Sequence, residues 1–189
     1  YQRKYESEQN ENVTLSLDRL VYNSLIELTD KFETTKFHLL IAISYILIAR
    51  LYEQYDLVIG MPILNRTNKR FRVTPGMFMS MMPMRIQMPP ESTFEDLLSF
   101  IKKDTRESYR HQRLPIADII KEIRKNGYKN DRLFDFTLVF RNFYFKDLKP
   151  DINVKHGVTF IADPREERIS IEIDETNDDA ETLVNFHFT

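Results

Sequence analysis

Residues Leu57 to Met88, LVIGMPILNRTNKRFRVTPGMFMSMMPMRIQM, restrict the possible folds more than any other stretch. Apolar ends flank a polar, basic middle from Asn65 to Arg72, which predicts strand, loop, strand. Gly60 stands inside the first strand, where a β-branched side chain would pack better, so another group is expected to come close to the backbone there. The second strand carries five methionines in the eight positions Met77 to Met84. Flexible, polarizable thioethers suit an irregular apolar wall, either ordinary core or the lining of a channel. Pro83 cannot donate to a ladder, which places this strand at an edge or a bulge. Arg85 then adds a charge directly after the apolar run, either to pair with an acid such as Asp135 or to meet a ligand.

The flanking sequence supplies helices before and after this pair. Val13, Leu15 and Leu17 alternate with polar residues as in a half-buried strand. Leu20, Ser24, Leu25, Leu28 and Phe32 then form a stripe at helical spacing, ending near Glu33. Thr34 or Thr35 can cap a second helix, apolar on more than one side from Phe37 to Leu51. Pro89-Pro90 stops the second strand, and Ser92 with Glu95 predicts a capping box for a helix from about Thr93 to Arg110. On that helix Lys102, Arg106 and Arg110, with Arg113 just beyond, make a basic stripe, read either as a solvated face or as a docking site for an anionic partner. A shorter helix with Ile116, Ile119, Ile120 and Ile123 on one face closes at Asn126-Gly127 as a left-handed cap. From Phe134 the period changes to two, through Phe140, and again at Val158–Ala162, Ile169–Ile173 and Val184–Phe188. Pro164 to Arg168 predicts an exposed excursion. The order of helices and strands favours a layered α/β architecture, and the chain ends inside or just after a strand with nothing following to cover the sheet, which suggests a piece of a larger unit.

Several chemistries are excluded or disfavoured by composition. The 189 residues carry a net charge of −2, so any basic partner site is local. The absence of cysteine removes disulfides, thiolate metal sites and a cysteine nucleophile. The four glycines form neither GxGxxG nor a P-loop. His38, His111, His156 and His187 lie in unrelated settings, and no GxSxG elbow is present, so the histidines are read as structural. No HxxxH or HExxH occurs, and the acidic run around Asp174, Glu175, Asp178, Asp179 and Glu181 lacks the pattern of a calcium loop and reads as a solvated turn. Tyr1 to Asn12 has no signal-peptide core. The run Phe37 to Leu51 is shorter than the roughly twenty residues of a membrane span, and the chain reads as cytoplasmic.

Four stretches in fixed order, IGMPILNR, PGMFMSMMPMR, HQRLPI and LFDFTLVFRN, resemble the C-terminal half of the condensation domains of nonribosomal peptide synthetases. The resemblance covers nearly the whole chain, beginning at a TxxxLLxAxxxxL-like helix with Thr35, Leu39, Leu40, Ala42 and Leu47. It implies one lobe of a two-lobed chloramphenicol acetyltransferase-like fold, a mixed, largely antiparallel sheet with helices packed on it. The two lobes form a V around a tunnel, and carrier proteins deliver thioesters on phosphopantetheine arms from its two ends. The family's HHxxxDG motif belongs to the other lobe; no adjacent histidine pair occurs here, so the resemblance implies no catalytic residue in this chain and no activity of the chain alone.

Gly76, Phe78, Pro83 and Arg85 match the family's GxFVNTxPxR-like strand, whereas Ser80 and Met81 stand where Asn and Thr are usual. His111, Gln112 and Pro115 match its HQxxPF-like motif, with Ile116 in place of the aromatic, and Asn142 ends the last matching strand. The loop after Arg66 resembles the segment forming the tunnel floor. The resemblance thus assigns Gly60, Asn65, Arg66, Gly76, Phe78, Ser80, Met81, Arg85, His111 and Gln112 to the tunnel, and the stripe Lys102, Arg106 and Arg110 is expected to dock carriers. No metal or directly bound cofactor is expected; the phosphopantetheine arm arrives on the partner. The implied function is amide-bond formation as part of a larger synthetase, with the first lobe and the carriers as partners. Alternatives are an epimerisation domain or stand-alone acyltransferase of the same superfamily, or a degenerate lobe that binds carriers without chemistry.

Overall fold

The computed structural model describes residues 11–129, 133–141, 169–174 and 182–188. In chain order these form β1 (Glu11–Leu17), α1 (Arg19–Lys31), α2 (Lys36–Tyr52), β2 (Asp56–Ile63), α3 (Lys69–Val73), β3 (Ser80–Gln87), α4 (Phe94–Arg110), α5 (Ile116–Lys125), β4 (Phe136–Arg141), β5 (Ile169–Asp174) and β6 (Thr182–Phe188). The strands make one sheet in the order β1-β6-β5-β4-β2-β3. Pairing is antiparallel except for β2 with β4 and β4 with β5. The expected strand at Val158–Ala162, the Pro164–Arg168 excursion, Asn142, His156 and the acidic residues after Asp174 lie outside the described residues.

Strand alternation decides what the helices cover. Leu57, Ile59, Met61 and Ile63 of β2 join Met82, Met84 and Ile86 of β3, Phe136 and Leu138 of β4, and Ile171 and Ile173 of β5 in one core. Leu39, Leu40, Ile41, Ala42, Tyr45, Ile48 and Ala49 of α2 and Leu97, Leu98 and Ile101 of α4 close that core. The helix α2 is apolar on several sides, as its composition predicts, yet Ile43, Leu47 and Leu51 remain exposed. Thr35 caps it by accepting from the His38 N–H. On α1 the stripe is narrower than its spacing predicts: Leu28 and Phe32 reach the core, while Leu20 stays exposed.

Three expectations change. The α4 capping box is built by Thr93 and Asp96, one residue later than Ser92 and Glu95. The reason lies in the two prolines: the Ser92 N–H is already used by the Pro89 carbonyl in a turn, and the extended residue directly before the helix is Thr93. The basic loop is also not structureless, because Asn68 accepts from the Phe71 N–H and starts the single turn of α3. Finally, the last strand, β6, is not an edge strand. It lies between β1 and β5, so among the described residues the edges of the sheet are β1 and β3.

The edge position of β3 fits Pro83, which sits opposite Gly60. A Cβ on Gly60 would stand 2.9 Å from the Phe134 ring and 2.9 Å from the Thr137 methyl carbon. Only a glycine lets β4 approach that closely. Asp135 fixes the same junction twice: its N–H donates to the Val58 carbonyl at 2.8 Å, and its carboxylate accepts from the Val58 N–H at 2.6 Å.

Candidate functional site

The β2–β3 connection is organised by one side chain. Arg66 donates through Nη1 to the carbonyls of Phe71 and Thr74, and through Nη2 to that of Gly76. Its guanidinium also lies 4.5 Å from the centre of the Phe78 ring, and Phe78 packs on Phe71 with centroids 5.1 Å apart. Planar Arg suits this role, since it serves several carbonyls and stacks on an aromatic face at once. Two backbone positions help the chain wrap around it. Asn65 is left-handed at φ 50°, and Gly76 has φ 143°, a conformation open mainly to glycine. The Asn65 Oδ1 is buried and accepts no hydrogen bond among the described residues.

The turn that ends α4 leans on this loop. The His111 N–H closes the helix on the Ser108 carbonyl, and the Gln112 side chain donates to the Tyr109 carbonyl at 2.8 Å. Arg113 then places its guanidinium 5.6 Å from the Phe71 ring centre. Of the residues the resemblance assigns to a tunnel, Asn65, Arg66, Gly76 and Phe78 therefore belong to one loop, and His111 and Gln112 build the neighbouring turn. Gly60 and Arg85 lie further along the strand pair.

Ser80 and Met81 begin β3, opposite Ile63 and Pro62. Consecutive strand residues face opposite sides of a sheet, so Ser80 shares the side of Met82 and Met84, whereas Met81 shares that of Pro83 and Arg85. The methionine-rich stretch accordingly divides: Met82 and Met84 are core at 5% and 1% exposure, and Met77 and Met79 are exposed at 87% and 41%. Arg85 pairs with Asp56 and not with Asp135, through Nε–Oδ1 at 2.8 Å and Nη2–Oδ2 at 2.7 Å. Asp56 starts β2 diagonally across from Arg85, while the Asp135 carboxylate is taken by Val58. The Arg85 hydrogen bonds hold the Asp56 carboxyl below its usual value; partial burial pushes that of Asp135 up.

The basic stripe on α4 is largely engaged. Lys102 donates to the Glu33 carbonyl at 2.9 Å and reaches that of Phe32, beyond the C-terminal end of α1. Arg110 pairs with Glu107 one turn back. Arg106 is exposed.

On the sheet face away from the helices, a second polar group was missed by sequence reasoning. Glu172 of β5 is 3% exposed and is flanked by Arg141 of β4 and His187 of β6, the His187 Nε2 at 3.5 Å. Beside it the Thr137 hydroxyl donates to the Ser170 hydroxyl at 2.8 Å. Burial and the Arg141 charge lower the pKa of His187. Alternation of Ser170 and Glu172 with isoleucines reads as a solvated face, and nothing local to the sequence marks it as covered. Phe71 was missed as well; the one signal for it is an aromatic in an otherwise polar basic loop. A cleft lined by Tyr45, Arg50, Tyr55, Met88 and Phe94 shares none of these residues.

Comparison with known proteins places this arrangement. Tyrocidine synthase 2 of Brevibacillus parabrevis is 30% identical over 132 residues, which is 69% of this chain and 4% of that protein. Bacitracin synthase 1 of Bacillus licheniformis is 25% identical over 146 residues, 77% of this chain and 3% of the relative. The chain thus spans only a small part of the length of these relatives. The fold matches the condensation domain from Monacolin K polyketide synthase MokA with a TM-score of 0.74 at 20% identity, covering 96% of this chain and 42% of that one. It also matches the four-domain nonribosomal peptide synthetase AB3403 with a TM-score of 0.78 at 16% identity, covering 96% of this chain and 15% of that one. The family model described as the condensation domain matches residues 2–184, and the chain belongs to the condensation domain family.

Proposed function

We propose that this chain is the C-terminal lobe of a condensation domain, in which an amine on one carrier protein attacks the thioester carbonyl on another and forms an amide as the thiol leaves. The observation that carries this reading is one of size: nearly all of this chain matches 42% of a condensation domain. The chain itself has no adjacent histidine pair from which to supply an HHxxxDG base. Its part is to orient substrates and exclude water, which lowers the barrier without a charged wall. The loop held by Arg66 forms the floor, with Asn65, Gly76 and Phe78. Gly60, Ser80, Met81, Arg85, His111 and Gln112 belong to the wall and its supports, and because Ser80 and Met81 face opposite sides, only one of them meets substrate directly.

In this reading the other lobe supplies the base, carrier proteins bring phosphopantetheine-bound substrates, and the reaction takes place in the cytoplasm. Among the described residues no single helix is long and apolar enough to cross a membrane. Lys102, Arg106 and Arg110 border the carrier-docking surface, Lys102 by fixing the end of α1. Ser80 and Met81 favour a second reading, a lobe that binds carriers without condensing them.

One experiment separates the two. Two carriers loaded with aminoacyl thioesters are mixed with the complete domain, or with this chain alone, and the dipeptidyl thioester is measured by mass spectrometry. Product from the complete domain and none from the chain alone is expected. Turnover by the chain alone defeats the division of labour, and carrier binding without product from the complete domain favours the second reading.

A further inference from the structure

Four side chains stand in series beside the start of β3. The Arg113 guanidinium of the α4–α5 turn lies 5.6 Å from the centre of the Phe71 ring, the Phe71 and Phe78 centroids are 5.1 Å apart, and Arg66 meets the Phe78 ring at 4.5 Å. The two ends of the series differ. Arg66 is fixed by three carbonyls of its own loop, so it binds that loop to itself. Arg113 comes from a distant part of the chain. No hydrogen bond or ion pair joins residues 108–115 to residues 64–79 among the described residues, so the ring contact of Arg113 is the specific tether between the two segments. The guanidinium is exposed and pairs with no carboxylate among the described residues. Its backbone is held on both sides: the Leu114 N–H closes on the His111 carbonyl at 2.9 Å, and Pro115 follows as the first residue of the α5 cap, with its φ fixed by the ring.

A cation over an aromatic face is attracted by the ring quadrupole, and at an exposed position the contact shifts an equilibrium by about two- to fivefold. Here the attraction acts on Phe71 and, through Phe78, on the chain two residues before Ser80. We propose that Arg113 is a positioning residue, which clamps the β2–β3 loop onto the α4–α5 turn and sets where Ser80 and Met81 enter β3. The consequence for turnover rests on the function proposed above. With floor and wall clamped together, the amine meets the thioester in a fixed geometry, so loss of the clamp slows the bound reaction and leaves carrier binding as it was. A guanidinium that is merely solvated predicts neither effect, and one that touches the carrier predicts the opposite division.

The test uses the complete domain that contains this chain, with two loaded carriers and the dipeptidyl thioester measured by mass spectrometry. Arg113→Gln should lower kcat by about two- to fivefold while KM for each carrier and the thermal melt stay as in the wild type. Arg113→Lys keeps a cation but not the planar stack and should fall between the two. In a double-mutant cycle, Arg113→Gln should cost nothing further once Phe71→Leu has removed the ring. Arg124→Gln, exposed on α5, should turn over like the wild type. Independently of turnover, amides of residues 69–74 should exchange about two- to fivefold faster in Arg113→Gln while β3 keeps its protection. A raised KM at unchanged kcat, or additive effects of the Arg113 and Phe71 variants, overturns the positioning role. Unchanged exchange in Arg113→Gln, in a domain whose wild type condenses, overturns the clamp and leaves the function standing. Faster exchange in Arg113→Gln, in a domain whose wild type binds carriers without condensing them, supports the clamp and removes the function.

Discussion

The β2–β3 strands and the loop joining them both carry methionines and are held by opposite means. In the strands, alternation sends Met82, Met84 and Ile86 under α2 and α4, and apolar burial fixes the register. In the loop, Met77 and Val73 face solvent, and order comes from a single guanidinium that answers three carbonyls. The difference teaches that methionine density alone identifies neither core nor channel; the pleat decides for the strand, and a polar hub decides for the loop.

The sharpest way to break this comparison is to truncate one methionine on each side. Met84→Ala removes a side chain that is 1% exposed and should cost about 2–5 kcal/mol in urea unfolding of the complete domain. Met77→Ala should stay within about 0.5 kcal/mol. Equal losses would mean that the loop is packed as tightly as the strands. A somewhat smaller effect, about 1–3 kcal/mol, is expected for Gly60→Ala, whose Cβ meets Phe134 and Thr137 at 2.9 Å. Phe134→Leu should relieve part of it in a double-mutant cycle; independent effects would show that the ring does not set the β2–β4 spacing.

The smallest effects distinguish the two aspartates at the start of the strands. The Asp56 carboxyl is held low by Arg85, so its contribution is complete above the unfolded carboxylate value near 3.8 and is lost as pH falls through the lower folded value. Asp56→Asn should therefore be slightly less stable at neutral pH and converge with wild type in acid. Asp135 is shifted upward, so its ionisation opposes folding above the folded value, and Asp135→Asn, which keeps an acceptor for the Val58 N–H, should be neutral or slightly stabilising at neutral pH. Thermal melts from pH 3 to pH 7 read both, and identical profiles would contradict the assignment of partners.

Much of this was legible because periodicity is a local property. The two-residue period of Phe136–Phe140 and Ile169–Ile173, the Thr35 cap and the Gly127 closure at φ 93° each depend on residues close in sequence. Gly60 was legible for the same reason, as a residue out of place in a strand. What failed to show depended on distant partners. Arg85 chose Asp56 because the register places Val58 opposite Arg85, which no spacing reveals. Glu172 looks solvated until β4 and β6 bring Arg141 and His187 beside it. Lys102 reads as a free cation until α1 ends within its reach. The motifs marked the loop as part of the candidate site, and only three-dimensional contacts identified Arg66 as what holds it.

That role of Arg66 is the central claim, and amide hydrogen exchange tests it most directly. Arg66→Lys keeps the charge but cannot serve the carbonyls of Phe71, Thr74 and Gly76 and stack on Phe78 together. In the complete domain, amides of residues 69–78 should exchange at least about tenfold faster than in wild type while those of β2 and β3 keep their protection. Unchanged exchange in the loop, or equal loss of protection along both strands, would contradict it.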